Sequence, residues 1–153
     1  FGFRFMAADP MLTEADAATL GVTRVSAEAL LKEADIISLH APATEATTGF
    51  FNAARLATMQ PHAMLVNSAR GQLINEADLA AALREGVIGG AALDVFETEP
   101  LPAGSPLREA PNLILTPHAA WYSEAAIDRL QGLVAEDVTR ALSGEAPRRP
   151  VPG

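Results

Sequence analysis

The sequence predicts an α/β fold with a doubly wound parallel sheet, and three observations support this class. Short apolar runs with the length of strands alternate along the chain with longer segments of helical periodicity. The short runs are almost continuously apolar, which is typical of parallel strands covered by helices on both faces. A chain of 153 residues, 49% of them apolar, suffices for one such core. We therefore expect one domain.

The first half of the chain contains three predicted strands, each followed by a predicted helix. Pro10 ends the first strand because proline blocks its continuation and biases Asp9 away from a helical conformation. Gly21 is expected to end the first helix, and Ser26 to cap the second. The predicted strands are residues 3–8, 22–25 and 36–39, and the predicted helices are residues 13–20, 27–33 and about 52–59.

The second half continues the alternation with three strands and two helices. Gly86 is expected to end the first of these helices. The last helix carries an apolar stripe at helical spacing, formed by Ala126, Leu130, Leu133, Val134, Val138 and Leu142. The predicted strands are residues 64–66, 90–95 and 113–115, and the predicted helices are residues 75–84 and 123–142. A proline-rich tail follows from Pro147.

Composition excludes several classes of function. There is no cysteine, so that disulfides and thiolate metal sites are excluded, and no metal site is predicted. The net charge of −8 does not favour binding to nucleic acid, and Arg148-Arg149 is the only basic cluster in the sequence. No apolar run is long enough to span a bilayer. We expect a cytoplasmic protein that binds neither nucleic acid nor membranes.

Polar residues follow the predicted strands, where ligands bind in open α/β sheets. Because the carboxyl ends of parallel strands meet at one edge of the sheet, side chains far apart in sequence are brought together there. This arrangement is Rossmann-like. The residues at these ends are Asp9, His40, Arg70, Asp94, Glu99 and His118.

Three of these residues suggest hydride transfer between a 2-hydroxy acid and a 2-keto acid. The planar guanidinium of Arg70 is suited to bind a substrate carboxylate with both oxygens and to polarise the neighbouring carbonyl. His118 is suited to donate the proton that the carbonyl oxygen needs when hydride arrives. Glu99 would hold the imidazole in one tautomer and favour its protonated form. We therefore predict that Arg70, Glu99 and His118 are catalytic.

Other conspicuous residues have less specific interpretations. His40 either lines the cofactor edge or merely ends a strand. His62 has no partner in view, and we expect a solvated loop residue without a function. Trp121 is either a core anchor or, as we favour from its position after His118, a wall of the substrate pocket. We interpret Gly86 as the end of a helix, and Gly89 and Gly90 as positions where a strand approaches its neighbours closely. We do not interpret the three glycines as a phosphate-binding loop.

Three segments resemble the D-isomer-specific 2-hydroxyacid dehydrogenases, and the resemblance covers nearly the whole chain. They are residues 66–71 (VNSARG), 90–100 (GAALDVFETEP) and 112–118 (NLILTPH). The resemblance implies NAD as cofactor, a small 2-hydroxy or 2-keto acid as substrate, a homodimer, and the same roles for Arg70, Glu99 and His118. The residues expected at the NAD site are Asp9, Ala41, Pro42, Ala43, Thr47, Ser68, Ala69 and Asp94, with His40, Arg70 and His118 bordering it.

Asp9 agrees with this cofactor independently. A carboxylate at the end of the second Rossmann strand binds the ribose hydroxyls and repels a 2′-phosphate. NAD is therefore favoured over NADP.

Residues 117–124 (PHAAWYSE) and the opening Phe1-Gly2-Phe3 are similar to one branch of the family, the C-terminal-binding proteins. Animal members of that branch are transcriptional corepressors that keep a dehydrogenase site. The resemblance therefore leaves a second function open, an NAD-sensing scaffold that binds other proteins.

The chain departs from the family at its amino-terminal end. A Rossmann domain begins with a strand and a G-x-G-x-x-G turn that binds the pyrophosphate, and this chain has neither. In the usual strand order 3-2-1-4-5-6 the missing strand lies between residues 3–8 and 36–39, so that two strand edges are left unpaired. We expect residues 1–146 to form a partial NAD-binding domain with a last helix at about 123–143, followed by a tail at 147–153. Such a fragment is not expected to act alone.

Overall fold

The computed structural model describes residues 2–150 and confirms the predicted α/β class. The chain divides into two compact units, Phe1–His118 and Ala119–Gly153. All the strands lie in the first unit. They are β1 Met6–Ala7, β2 Thr23–Arg24, β3 Ile36–Leu39, β4 Met64–Asn67, β5 Gly90–Leu93 and β6 Leu113–Leu115. The helices are α1 Glu14–Leu20, α2 Ala27–Glu33, α3 Ala53–Leu56, α4 Glu76–Arg84 and, in the second unit, α5 Glu124–Leu142.

The strands form two parallel sheets with a Rossmann-like order. β1 pairs with β2, and the second sheet has the order β3-β4-β5-β6. Among residues 2–150, β1 and β3 do not pair with each other. The two sheets are therefore separate at β1 and β3.

Side-chain caps begin the helices at the predicted residues. The side chains of Thr13 and Ser26 accept hydrogen bonds from backbone N–H groups of α1 and α2, and Asn75 does the same for α4. Gly21 ends α1 in the left-handed conformation, with a φ of 68°. These local signals fixed most boundaries to within one residue.

Three strands and one helix are shorter than predicted. β1 has two residues instead of six, and β2 has two instead of four, because each strand ends where its pairing with the other ends. β5 stops at Leu93 rather than Val95, and α3 covers only four residues. Two 3-10 helices, Gly71–Leu73 and Pro106–Glu109, had not been predicted.

The two faces of the sheet are buried to different extents at β3 and β4, where the sequence had predicted cover on both. Burial alternates along β3, where Ile37 is buried and Ile36 is 56% exposed. The buried face belongs to one core cluster with side chains of α2, α3 and α4, whereas the opposite face includes the exposed Ile114. The two-residue alternation of side chains along a strand cannot predict this difference in burial, because both faces carry apolar residues. Only tertiary packing decides which face is covered.

The second unit contains α5, which begins after its cap Ser123. The predicted apolar stripe is exposed: Leu130, Leu133, Val134 and Val138 have between 42% and 56% of their surface accessible. In the part of the chain that the structure describes, no helix combines the length and the apolar character needed to cross a bilayer.

Candidate active site

Arg70, Glu99 and His118 line one open cavity of about 250 Å³. They reach it from three loops that follow β4, β5 and β6. Gly71, Gln72, Val95, Phe96 and Glu97 line the rest. The three side chains are separated by 19 to 48 positions in the sequence, and the parallel sheet brings them to the same edge.

Glu99 holds His118 through a short hydrogen bond. Glu99 Oε2 lies 2.7 Å from His118 Nδ1, and Glu99 Oε1 accepts a hydrogen bond of 3.0 Å from the backbone N–H of Phe96. The bond to His118 lowers the pKa of the Glu99 carboxyl most, and the Phe96 N–H lowers it further. Glu99 is therefore an anion that orients the imidazole through Nδ1.

The backbone also fixes His118. Its φ of 53° lies in the left-handed region, which few residues other than glycine adopt. Its N–H donates to the carbonyl of Asp94 at 2.8 Å. The side chain of His118 thus leaves a backbone that is held to the end of β5.

Arg70 leaves a tight loop that begins at Asn67. The side chain of Asn67 accepts a hydrogen bond of 3.0 Å from the N–H of Ala69 and donates one of 2.8 Å to the carbonyl of Arg70. Gly71 follows, and a Cβ there would lie 1.9 Å from the carbonyl carbon of Phe96. The loops that carry Arg70 and Glu99 therefore contact each other through their backbones, at a distance that only glycine permits.

Asp94 is a buried carboxylate at the end of β5, only 6% exposed. Thr116 donates a hydrogen bond of 2.5 Å to its Oδ1. Sequence reasoning had selected Asp94 but missed Thr116 and Asn67. Asparagine at the start of a strand-to-loop turn was the available signal for Asn67, whereas the pairing of Thr116 with Asp94 requires the register of β5 and β6.

Asp9 lies at the end of β1 and is exposed. Its Oδ1 accepts a hydrogen bond of 2.7 Å from the N–H of Met11. Asp9 lines a second open cavity, of about 410 Å³, with Met11, Leu12, Asp16, Thr19 and Leu20. A carboxylate in this position of a Rossmann sheet suits ribose hydroxyls.

Residues 1–120 match the family described as "D-isomer specific 2-hydroxyacid dehydrogenase, NAD binding domain". The chain belongs to this family. It is 43% identical over 146 residues to the (S)-sulfolactate dehydrogenase of Chromohalobacter salexigens and 42% identical over 147 residues to the glyoxylate reductase of Korarchaeum cryptofilum. These alignments cover 95% and 96% of the chain but only 47% and 44% of the two enzymes, so the chain spans about half the length of the curated relatives it matches.

The fold of the dehydrogenase family is also found by structural comparison. The crystal structure of D-lactate dehydrogenase with NAD⁺ from Lactobacillus jensenii superposes with a TM-score of 0.88 at 29% identity. The match covers 99% of this chain and 49% of that one. The Rossmann-like prediction and the family resemblance are therefore confirmed.

The remaining residues predicted at the cofactor site of this dehydrogenase domain lie outside the two cavities just described. The hydroxyl of Thr47 donates to the carbonyl of Pro42 at 2.7 Å and so holds the loop after β3. His40 Nε2 lies 2.9 Å from Ser38 Oγ. The residues outside the cavities are His40, Ala41, Pro42, Ala43, Thr47, Ser68, Ala69 and Asp94.

Trp121 belongs to the second unit, where its ring is 54% exposed and lies 5.8 Å from that of Tyr122. Its place in a substrate pocket stays a prediction. Among residues 2–150, no group of three or more histidine, aspartate and glutamate side chains is positioned to hold a metal ion.

His62 corrects one expectation. We had expected no partner, but His62 Nε2 lies 2.6 Å from Asp35 Oδ1. Both side chains are exposed, as expected for His62, at 64% and 78%. The sequence could not reveal this pair because its members are 27 positions apart and meet only through the register of β3 and β4.

Proposed function

We propose that this chain is the larger part of the NAD-binding domain of a dehydrogenase that interconverts a D-2-hydroxy acid and a 2-keto acid. One observation carries the proposal: a guanidinium, a carboxylate and an imidazole line a single cavity at the carboxyl ends of β4, β5 and β6. Family membership supports the same reaction. The substrate is a small 2-hydroxy or 2-keto acid, whose carboxylate the arginine of this cavity would bind.

The proposed roles follow from the geometry of the three side chains. Arg70 binds the substrate carboxylate and directs the adjacent carbonyl toward His118. Glu99 occupies Nδ1 of His118, so the proton is exchanged with the substrate oxygen at Nε2. Bound NAD(H) supplies or takes up the hydride at the substrate carbon. The anionic Glu99 stabilises the imidazolium from which the proton leaves during reduction.

The residues present fit NAD at its two ends. The exposed carboxylate of Asp9 offers acceptors for ribose hydroxyls and would repel the 2′-phosphate of NADP. Asp94, fixed by Thr116, is suited to contact the nicotinamide side. On the family resemblance we assign further contacts to His40, Arg70, His118 and the loop residues Ala41, Pro42, Ala43, Thr47, Ser68 and Ala69.

The domain boundaries stay a proposal. We infer that residues 1–146 form part of the NAD-binding domain and that the strand between β1 and β3 and the pyrophosphate-binding turn come from outside this chain. The separate sheets support this inference, as does the length of the relatives. Calorimetric titration of residues 1–153 with NADH is expected to show binding weaker than micromolar, since the phosphate anchor joining both ends is missing. Micromolar or tighter binding would contradict it.

The test of the reaction uses the whole product of the gene that encodes these residues. We expect NADH-dependent reduction of at least one acid among glyoxylate, pyruvate, 3-sulfopyruvate and 3-phosphohydroxypyruvate, with a higher kcat/KM for NADH than for NADPH. A higher kcat/KM for NADPH would remove the role given to Asp9. The homodimer, the cytoplasmic location and the likeness to C-terminal-binding proteins stay predictions. Tight binding of a protein partner without turnover of any acid would favour the scaffold function instead.

A further inference from the structure

Asn67 is the most completely buried polar side chain beside the candidate active site, with 1% of its surface exposed. Its amide makes two hydrogen bonds of opposite sense inside one loop: Oδ1 accepts from Ala69 and Nδ2 donates to the carbonyl of Arg70. Its own carbonyl accepts a hydrogen bond of 2.9 Å from the N–H of Asp94. One residue thus connects β4, the Arg70 loop and the end of β5.

The bond from Nδ2 determines the direction of the Arg70 peptide. The loop has little freedom on its other side, because Gly71 lies against the backbone of Phe96. The Arg70 side chain itself is exposed, and within residues 2–150 its Nη1 donates one hydrogen bond, of 2.6 Å, to the neighbouring carbonyl of Ala69. The guanidinium is therefore bonded to the loop that carries it, and the backbone of that loop decides where it points.

We propose that Asn67 is a positioning residue for Arg70, and that the Nδ2 donor sets the direction from which the guanidinium meets a substrate carboxylate. This role rests on the function proposed above. Asparagine supplies both an acceptor and a donor at a fixed spacing, and aspartate supplies only acceptors while it is ionised. The two residues have nearly the same shape, so exchanging them isolates the donor.

The decisive variant is Asn67→Asp in the whole gene product. While the introduced carboxyl group is ionised, it would face the Arg70 carbonyl with an oxygen and lose the bond, whereas its protonated form would donate a hydrogen bond again. Burial raises the pKa of such a carboxyl group and the N–H of Ala69 lowers it, so kinetics are measured over a pH series to find where the bond returns. Asn67→Ser is the second variant, because its shorter hydroxyl does not reach the Arg70 carbonyl and has no recovery at low pH.

Asn52→Asp is the matched control. Asn52 caps α3 by accepting a hydrogen bond of 3.2 Å from the N–H of Arg55, and aspartate keeps that bond. At pH 8 we expect Asn67→Asp to raise KM for the keto acid by about 10-fold or more, with the Kd for NADH unchanged, since less well aligned carboxylate binding weakens substrate affinity. The ratio of variant to wild-type KM should fall toward one as the pH is lowered. Asn67→Ser should stay impaired at every pH, and Asn52→Asp should match the wild type.

Two results of the kinetic, binding and stability measurements would overturn the positioning role. One is an unchanged KM in Asn67→Asp at all pH values. The other is a parallel loss of keto-acid affinity, NADH affinity and Tm, which would assign Asn67 to the stability of the fold alone. The ¹³C chemical shift of the Arg70 carbonyl, measured by NMR, tests the positioning role independently of the proposed function. A wild type without turnover would refute the function, whereas an unmoved shift in Asn67→Asp at pH 8 would refute the positioning role, whatever the wild type reduces.

Discussion

Two histidine–carboxylate pairs lie at opposite ends of the same four-stranded sheet. His118 and Glu99 meet beyond the carboxyl ends of β5 and β6, at 2.7 Å, and His62 and Asp35 meet before the amino ends of β3 and β4, at 2.6 Å. Each pair is next to a glycine whose Cβ would collide with backbone, Gly71 at the first and Gly89 at the second. By distance alone, the pairs are equivalent.

Their surroundings differ. Glu99 uses its second oxygen to accept a hydrogen bond from Phe96, and it shares a cavity with Arg70. The carboxylate of Asp35 is bonded to His62 alone in the described residues, and its side chain is 78% exposed. An imidazole beside a carboxylate therefore does not indicate catalysis by itself. The second hydrogen bond to the Glu99 carboxylate, from the N–H of Phe96, and the neighbouring guanidinium of Arg70 distinguish the candidate site.

The largest expected difference between the pairs is in turnover. In the whole gene product, His118→Gln should lower kcat for keto-acid reduction by about 100-fold or more and leave NADH binding nearly unchanged, because glutamine cannot donate the proton. His62→Gln is the matched control and should keep the wild-type kcat. Steady-state kinetics with both variants would decide the matter. Equal turnover of the two variants would remove His118 from the mechanism.

The glycines give the second comparison. Gly71→Ala and Gly89→Ala should each destabilise the fold by about 1–3 kcal/mol, because the added methyl group would lie 1.9 Å from the Phe96 carbonyl carbon in one and 2.5 Å from the His62 carbonyl oxygen in the other. Only Gly71→Ala should also raise KM for the keto acid, since it separates the Arg70 and Glu99 loops. Thermal unfolding and kinetics measure the two effects, and an equal KM in both variants would contradict the distinction.

Glu99→Gln tests the carboxylate itself. We expect kcat to fall by about 10-fold, because the neutral amide no longer stabilises the imidazolium form of His118. The acidic residue of the other pair provides the control, and Asp35→Asn should leave kcat within twofold of the wild type, roughly the scatter expected for a surface substitution. A comparable fall of kcat in both variants would show that the effect comes from a general disturbance of the sheet rather than from the candidate active site.

The sequence predicted the parts of this molecule that depend on local chemistry. Helix caps such as Ser26 act within three residues, and the proximity of Arg70, Glu99 and His118 was predicted because parallel strands gather their carboxyl ends. The hydrogen bonds of Asn67 and Thr116, the partner of His62 and the unequal burial of the two sheet faces were missed. The bond of Thr116 and the partner of His62 depend on strand register, and the burial of each face depends on which side the helices cover; residue types along one chain do not specify these. The bonds of Asn67 are local, and an asparagine at the start of a turn was their available signal.

The smallest expected effect is on stability at acid pH. The pKa of Glu99 is lowered from its ordinary value of 4.5, first by His118 and then by the Phe96 N–H. A carboxyl group with a lowered pKa in the folded state stabilises that state above the unfolded pKa, and the contribution is lost as the pH falls through the folded pKa. Replacing Glu99 by glutamine removes this contribution, so the free energy of unfolding of wild type and variant should differ most above pH 4.5 and converge in acid.

Urea unfolding of both proteins between pH 3 and pH 6 measures the difference. The Glu99 side chain is 36% exposed and solvent screens the pair, so we expect the pH-dependent part to stay below about 1 kcal/mol. Asp35→Asn is the control variant in the same measurement, because the Asp35 carboxylate has no second hydrogen bond in the described part of the chain. If Asp35→Asn lost as much as Glu99→Gln, the Phe96 N–H would not be what separates the two pairs.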